Sequence, residues 1–129
     1  MKTILVDTNI ILRFLLRDDE HLFKIANSIF KSAESGKTKI YIDELVAAET
    51  VWALTSFYKQ GKKDVCNLLL KLVTKNWLVN PRKNLIIESL RLCAVSNLSY
   101  IDSWIAVFSA AKKIKLETFD KGLSKQVKN

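Results

Sequence analysis

The sequence is poor in the residues that break or staple small proteins: its 129 residues include three glycines, one proline, two cysteines and one histidine. So few chain breakers imply long helices joined by short connections. Cys66 and Cys93 have no partner at C-x-x-C spacing, and His21 stands alone, which argues against structural zinc. Both cysteines sit in helical-looking stretches and read as buried thiols of a reducing compartment, not as a disulfide. No apolar run approaches the roughly 20 residues that a membrane-spanning helix needs. The run after Met1 and Lys2 ends at Asp7, too soon for a signal peptide. A cytoplasmic protein without membrane attachment is expected.

Negative charge is also scarce, with 13 Asp and Glu against 21 Lys and Arg and a formal net charge of +8. Such a balance favours polyanionic partners. A lysine-rich solvated surface is the plainer explanation, unless the few acids gather in one place. The length and the 49% hydrophobic content suit one globular unit, and no linker, repeat or low-complexity stretch divides it. Residues 1–129 are therefore expected to form a single domain.

Thr3-Ile4-Leu5-Val6 reads as a buried parallel strand that ends at Asp7-Thr8-Asn9. Further strands are expected at residues 39–42, 77–79 and 115–118. Helices are expected over 10–16, from Asp18-Asp19-Glu20 to about Ser35, from Asp43 or Glu44 to about Lys59, over 62–74, from Pro81 to about Val95, from the cap Ser99 to Lys113, and after Asp120. Gly36 and Gly61 are the expected helix stops. Strands alternating with helices imply an α/β fold, a parallel sheet covered on both faces.

In such sheets ligands bind at the carboxyl ends of the strands. Asp7 follows the first expected strand, Asp120 follows the last, and Asp102 opens the helix before it. Each has a plain structural explanation. Asp7 and Asp120 suit helix capping, and Ser99-Tyr100-Ile101-Asp102 fits a capping box. Glu49 differs, because it lies in mid-helix on a stripe with Leu45, Ala48 and Trp52 that is expected to face the core. An ionised group there needs a cation or a donor, unless the stripe edge reaches water. Carboxylates without His or Cys are hard ligands suited to Mg²⁺ or Mn²⁺. Four of them together would repel one another without a metal. A basic protein with one acidic pocket is what a metal-dependent nuclease needs.

At these residues the sequence resembles the PIN-domain family, in particular the VapC-type ribonuclease toxins of toxin–antitoxin pairs. The resemblance rests on Ile4-Leu5-Val6-Asp7-Thr8-Asn9-Ile10-Ile11, Ala48-Glu49-Thr50-Val51-Trp52-Ala53-Leu54, Tyr100-Ile101-Asp102-Ser103-Trp104-Ile105-Ala106 and Glu117-Thr118-Phe119-Asp120-Lys121, in the family's order. It implies a three-layer α/β/α sandwich with a small, mostly parallel central sheet. It also implies a Mg²⁺- or Mn²⁺-dependent endoribonuclease, a homodimer, and a cognate antitoxin that holds it inactive. Carried over by residue, Asp7 and Asp102 would be the principal metal ligands, with Glu49 and Asp120 completing the pocket. Asn9 and Thr118 would orient those ligands, although both also suit turns and caps. Two departures stand out: Trp104 replaces a mid-sized aliphatic residue and is expected to fill core, and Lys112-Lys113-Ile114-Lys115 lacks a glycine.

The chemistry these residues suggest is in-line attack by water on an RNA phosphodiester, assisted by the metal, since no histidine is placed to act as a base. Arg13, Arg17, Lys59, Lys62, Lys63 and Lys112 are candidate phosphate contacts, with a solvated surface as the plain alternative. Phe14, Phe57, Tyr58 and Trp77 are candidates for an interface, with core burial the default. A catalytically inactive RNA- or partner-binding relative is the main rival. A phospho-acceptor receiver domain would need a mid-chain aspartate at a strand end, where this sequence reads as continuous helix. A haloacid-dehalogenase-type phosphatase would need an acid at position 9, where Asn9 stands.

Overall fold

A computed structural model describes residues 1–127. In chain order the elements are β1 (Lys2–Leu5), α1 (Thr8–Leu16), α2 (Glu20–Glu34), β2 (Thr38–Tyr41), α3 (Glu44–Trp52), α4 (Lys62–Val73), β3 (Leu78–Val79), α5 (Lys83–Val95), α6 (Tyr100–Lys112) and α7 (Lys121–Val127). The three strands form one parallel sheet in the order β1-β2-β3, with Ile4 beside Ile40 and Ile40 beside Leu78. This is the expected α/β class with a small parallel sheet. Parallel pairing demands a crossover between strands, and helices supply each one.

One expected strand is absent. Residues 115–118 pair with no strand, and β1 and β3 are the sheet's edges. The segment carries Lys115 and Glu117, both exposed and 3.3 Å apart as an ion pair, and Leu116 and Thr118 are no more than half-buried. A strand buried on both faces needs a nearly continuous apolar run, which this segment does not have.

The main core gathers the sheet and the helices around fully buried Ile40, Leu54 and Leu90. Phe30 is buried at its edge, with Phe14 stacked on it at 4.3 Å between ring centroids. A second, smaller cluster forms where Leu123 of α7 meets Leu98 and Ala106.

With glycine scarce, other residues take up left-handed backbone at helix ends. Arg17 (φ 53°) ends α1, and Lys113 (φ 55°) ends α6. Gly36 (φ 87°) follows α2 as expected. Gly61 does not end α3; at φ −65° it precedes α4, and Lys59 (φ 58°) takes the left-handed turn instead. The helix expected to reach Lys59 also changes form. After Trp52 it widens into a π turn over Ala53–Phe57, where Tyr58 N donates to Ala53 O at 3.0 Å. Thr55 Oγ1 donates to Val51 O at 2.7 Å at the same place, a contact that competes with regular α-helical bonding. Among the described residues no helix is long and apolar enough to cross a membrane.

Candidate active site

β1 delivers Asp7 to the start of α1, where a carboxylate oxygen accepts from Ile10 N at 3.1 Å. An N-terminal acid satisfies a free amide and meets the positive end of the helix dipole. The next residue, Thr8, is buried, and its hydroxyl donates to the Glu49 carboxylate on α3. That bond ties two acidic motifs separated by about 40 residues in the chain.

Glu49 does not lie on a core-facing stripe. Its companions Leu45 and Trp52 are 79% and 61% exposed, and Glu49 itself is exposed. α3 buries Ala47, Thr50 and Val51 instead. Thr50 can enter the core because its hydroxyl donates to Val46 O at 2.7 Å, which leaves no unmet polar group. Glu49 therefore sits at a wet edge with a hydroxyl partner, which removes the burial penalty expected for it.

The other two acids meet in a different place. Ser99 Oγ accepts from Asp102 N at 3.1 Å and caps α6. Among the described residues the half-buried Asp102 carboxylate has no hydrogen-bond or ion-pair partner, so the capping box is not closed from its side. Asp120 accepts from Leu123 N at 2.7 Å to cap α7, and its own N–H donates to Thr118 Oγ1 at 3.1 Å. Asp102 and Asp120 both line an open groove of about 500 Å³, together with Ser96, Asn97, Lys125 and Gln126.

The four acids thus fall in two places: Thr8, next to Asp7 in the chain, bonds Glu49, and Asp102 and Asp120 line one groove. α3 packs against both α1 and α6, so the pairs stand on neighbouring elements. Among the described residues no three His, Cys, Asp or Glu side chains come together closely enough to hold a metal ion. The donor chemistry nonetheless suits a hard dication, because every candidate ligand is a carboxylate oxygen. Nor are these acids already neutralised. The ion pairs among the described residues engage Asp18, Glu34, Glu44 and Glu117 instead.

Several candidate phosphate contacts have structural work. Lys62 Nζ donates to Ser96 O at 2.8 Å and Leu98 O at 2.5 Å, so it braces the loop that floors the groove. Arg13 pairs with Asp18 at 2.9 Å and donates to Tyr58 Oη at 2.9 Å. The Arg17 guanidinium lies 4.0 Å from the Phe23 ring centroid. Lys59, Lys63 and Lys112 are exposed. Of the aromatic candidates, Phe14, Tyr58 and Trp77 pack against the core, while Phe57 is exposed.

Thr118 accepts from the main-chain N–H of Asp120, the turn role open to it, and does not touch the carboxylate; it is Thr8, not Asn9, that reaches an acid on another element. The sequence signal for Thr8 was only its place beside Asp7, and nothing local indicated that its hydroxyl turns inward. Beneath the α3 start, buried Asn80 donates to Ile42 O at 2.8 Å and to Glu44 Oε1 at 2.6 Å. Burial alone would raise the Glu44 pKa, but hydrogen bonds from Asn80, its own backbone and Arg82 hold it below the ordinary carboxylate value.

Comparison with known proteins gives one match. The PIN domain model aligns with residues 4–129, nearly the whole chain. No curated protein and no solved structure matches. PIN domains are typically nucleases that generally use divalent metal ions, and the domain suggests RNA binding. With the match spanning both acid pairs and the parallel sheet beneath them, the chain belongs to the PIN domain family.

Proposed function

We propose that this protein is a Mg²⁺- or Mn²⁺-dependent endoribonuclease that hydrolyses RNA phosphodiester bonds, the toxin of a type II toxin–antitoxin pair acting in the cytoplasm. Residues 1–129 act as one nuclease unit. The observation that carries this reading is the pairing of acids. In a chain with net charge +8, Asp7, Glu49, Asp102 and Asp120 fall into two pairs on adjoining elements, and none is held by a lysine or arginine among the described residues.

Asp7 and Asp102 are the principal ligands, and Glu49 and Asp120 complete the site directly or through water. A bound ion supplies charge neutralisation at the phosphate and a more acidic water. Thr8 fixes one Glu49 oxygen, Ser99 and Thr118 set the backbone under Asp102 and Asp120, and Lys125 offers a cation to the RNA at the groove. A cognate antitoxin and a second copy of the chain are the proposed protein partners. The apolar side chains Leu45 and Trp52, exposed on the same outward face as Glu49, support a partner that covers this site.

The test is the double variant Asp7→Asn with Asp102→Asn. Mg²⁺-dependent cleavage of a structured RNA should fall to background while circular dichroism stays unchanged. Cleavage that survives both changes, or that persists in excess chelator, refutes the reading. The second reading, a PIN-like module that binds RNA or a partner without cleaving, is favoured by the absence of a preassembled acid triad among the described residues. It expects no heat of Mn²⁺ binding in calorimetry, whereas the nuclease reading expects binding that the double variant loses.

A further inference from the structure

A small cleft of about 140 Å³ opens between α6 and the segment after it, lined in part by Trp104, which is half-buried and also packs against the main core as expected. Trp104 and Phe108 form one wall, with ring centroids 5.9 Å apart and planes inclined by 33°. Ile105, Ile114 and Leu116 complete an apolar lining, and Lys115 stands at the rim. Lys112 and Lys113, both exposed, follow Phe108 by one turn. Glu117 pairs with Lys115 on the surface at 3.3 Å, a solvent-exposed contact that a phosphate can readily replace.

Ile105 and Ser109 lie three and seven residues after Asp102, on the same helical stripe. Trp104 and Phe108, two and six residues after Asp102, face another side of α6, so the cleft and the groove that holds Asp102 are separate openings on one helix. An aromatic and aliphatic slot edged by lysines is the chemistry that takes up an unstacked base and its phosphates. A folded protein partner is a poorer match, because stable protein interfaces cover about 800 Å² per side and this opening admits one ring system.

We propose that the Trp104–Phe108 cleft binds a single unpaired nucleobase of the RNA, outside the groove that holds Asp102 and on the same helix. The base lies against the indole, and Lys112 and Lys115 hold the phosphates on either side of it. The cleft therefore selects single-stranded or loop RNA, since a base held in a duplex cannot enter. The substrate class rests on the ribonuclease reading above.

The experiment measures binding of a fluorescein-labelled hexaadenylate RNA by anisotropy in EDTA, where cleavage cannot occur. Trp104→Ala should weaken binding at least about tenfold, Phe108→Ala somewhat less, and Trp104→Phe no more than about threefold. Repeating the titration with one abasic site at each position in turn should show one position at which Trp104→Ala no longer matters. Wild-type affinity in Trp104→Ala overturns the proposal, as does an equal loss with every abasic RNA. An altered oligomeric state with RNA binding unchanged also overturns it and marks the cleft as a protein interface. If Trp104→Ala fails to fold, Phe108→Ala and Trp104→Phe decide, the first expected to lose binding and the second to keep it. Trp104-dependent binding by a protein that never cleaves RNA removes the nuclease reading alone. Active cleavage with Trp104-independent binding removes the cleft alone.

Discussion

The two halves of the candidate site rest on very different foundations. Asp7 and Glu49 stand on elements of the main core, which buries Ile11 of α1, Ile40 of β2 and Leu54 of the π turn. Asp102 and Asp120 stand above a small cluster of Leu98, Ala106 and Leu123, held at its margin by the short helix α7. Glu49 is tied by a side-chain hydrogen bond to Thr8, the residue after Asp7, while Asp102 and Asp120 share only the groove they line. A site built this way has one half fixed by the fold and one half free to adjust, and local opening concentrates where apolar contacts are few.

Truncation in each core gives the largest contrast. Leu54→Ala should cost about 3–4 kcal/mol of global stability in urea melts, since Leu54 is fully buried. Leu123→Ala should change the melt less, yet speed amide exchange throughout α7 and weaken Mn²⁺ binding. Equal global losses would show that the two regions fold as one unit. Next comes Lys62→Met, which keeps the apolar stem but strips the donor from two carbonyls. A loss of about 2 kcal/mol is expected, with faster exchange around Leu98 and little change near Glu49.

Tyr100→Phe should move stability the other way, raising it by about 1 kcal/mol. Among the described residues the buried Tyr100 hydroxyl has no hydrogen-bond partner, and burial pushes its pKa up. A lower melting temperature would mean that a water or ligand completes it. Lys113→Gly should add about 0.5–1 kcal/mol by relieving a left-handed backbone at the end of α6. The smallest effect is on pH. Glu44 is held below its ordinary pKa of 4.5, so its contribution is present above that value and fades as pH falls through the lower folded value. Glu44→Gln should flatten stability only in that acid range, and a change near neutrality would point to another group.

Much of this was legible in the sequence because it is local. Three short runs read as strands are strands, and of the apolar stripe Val65, Leu68, Leu69 and Leu72 read for α4 all but Leu68, which is exposed, form its buried face. Asp7 and Asp120 cap helices, as their positions suggested, and their capping role is compatible with a second role at the site. What failed depended on tertiary context. Glu49 reads as core-facing because the run around it is almost wholly apolar, but two of those apolar residues, Leu45 and Trp52, face outward. Residues 115–118 read as a strand, but no neighbour pairs with them. The brace from Lys62 to a loop more than 30 residues away has no local signal at all.

The π turn at Ala53–Phe57 works as a change of gearing within one helix. It fits one residue more than the α spacing needs, so the chain beyond it is rotated by about 100° relative to an uninterrupted cylinder. That rotation turns the Tyr58 hydroxyl toward Arg13 on α1 and leaves Phe57 facing water. The link between α1 and the end of the α3 helix thus depends on a count of residues as much as on their identity, and deleting one from this stretch would swing the wrong aromatic toward the arginine.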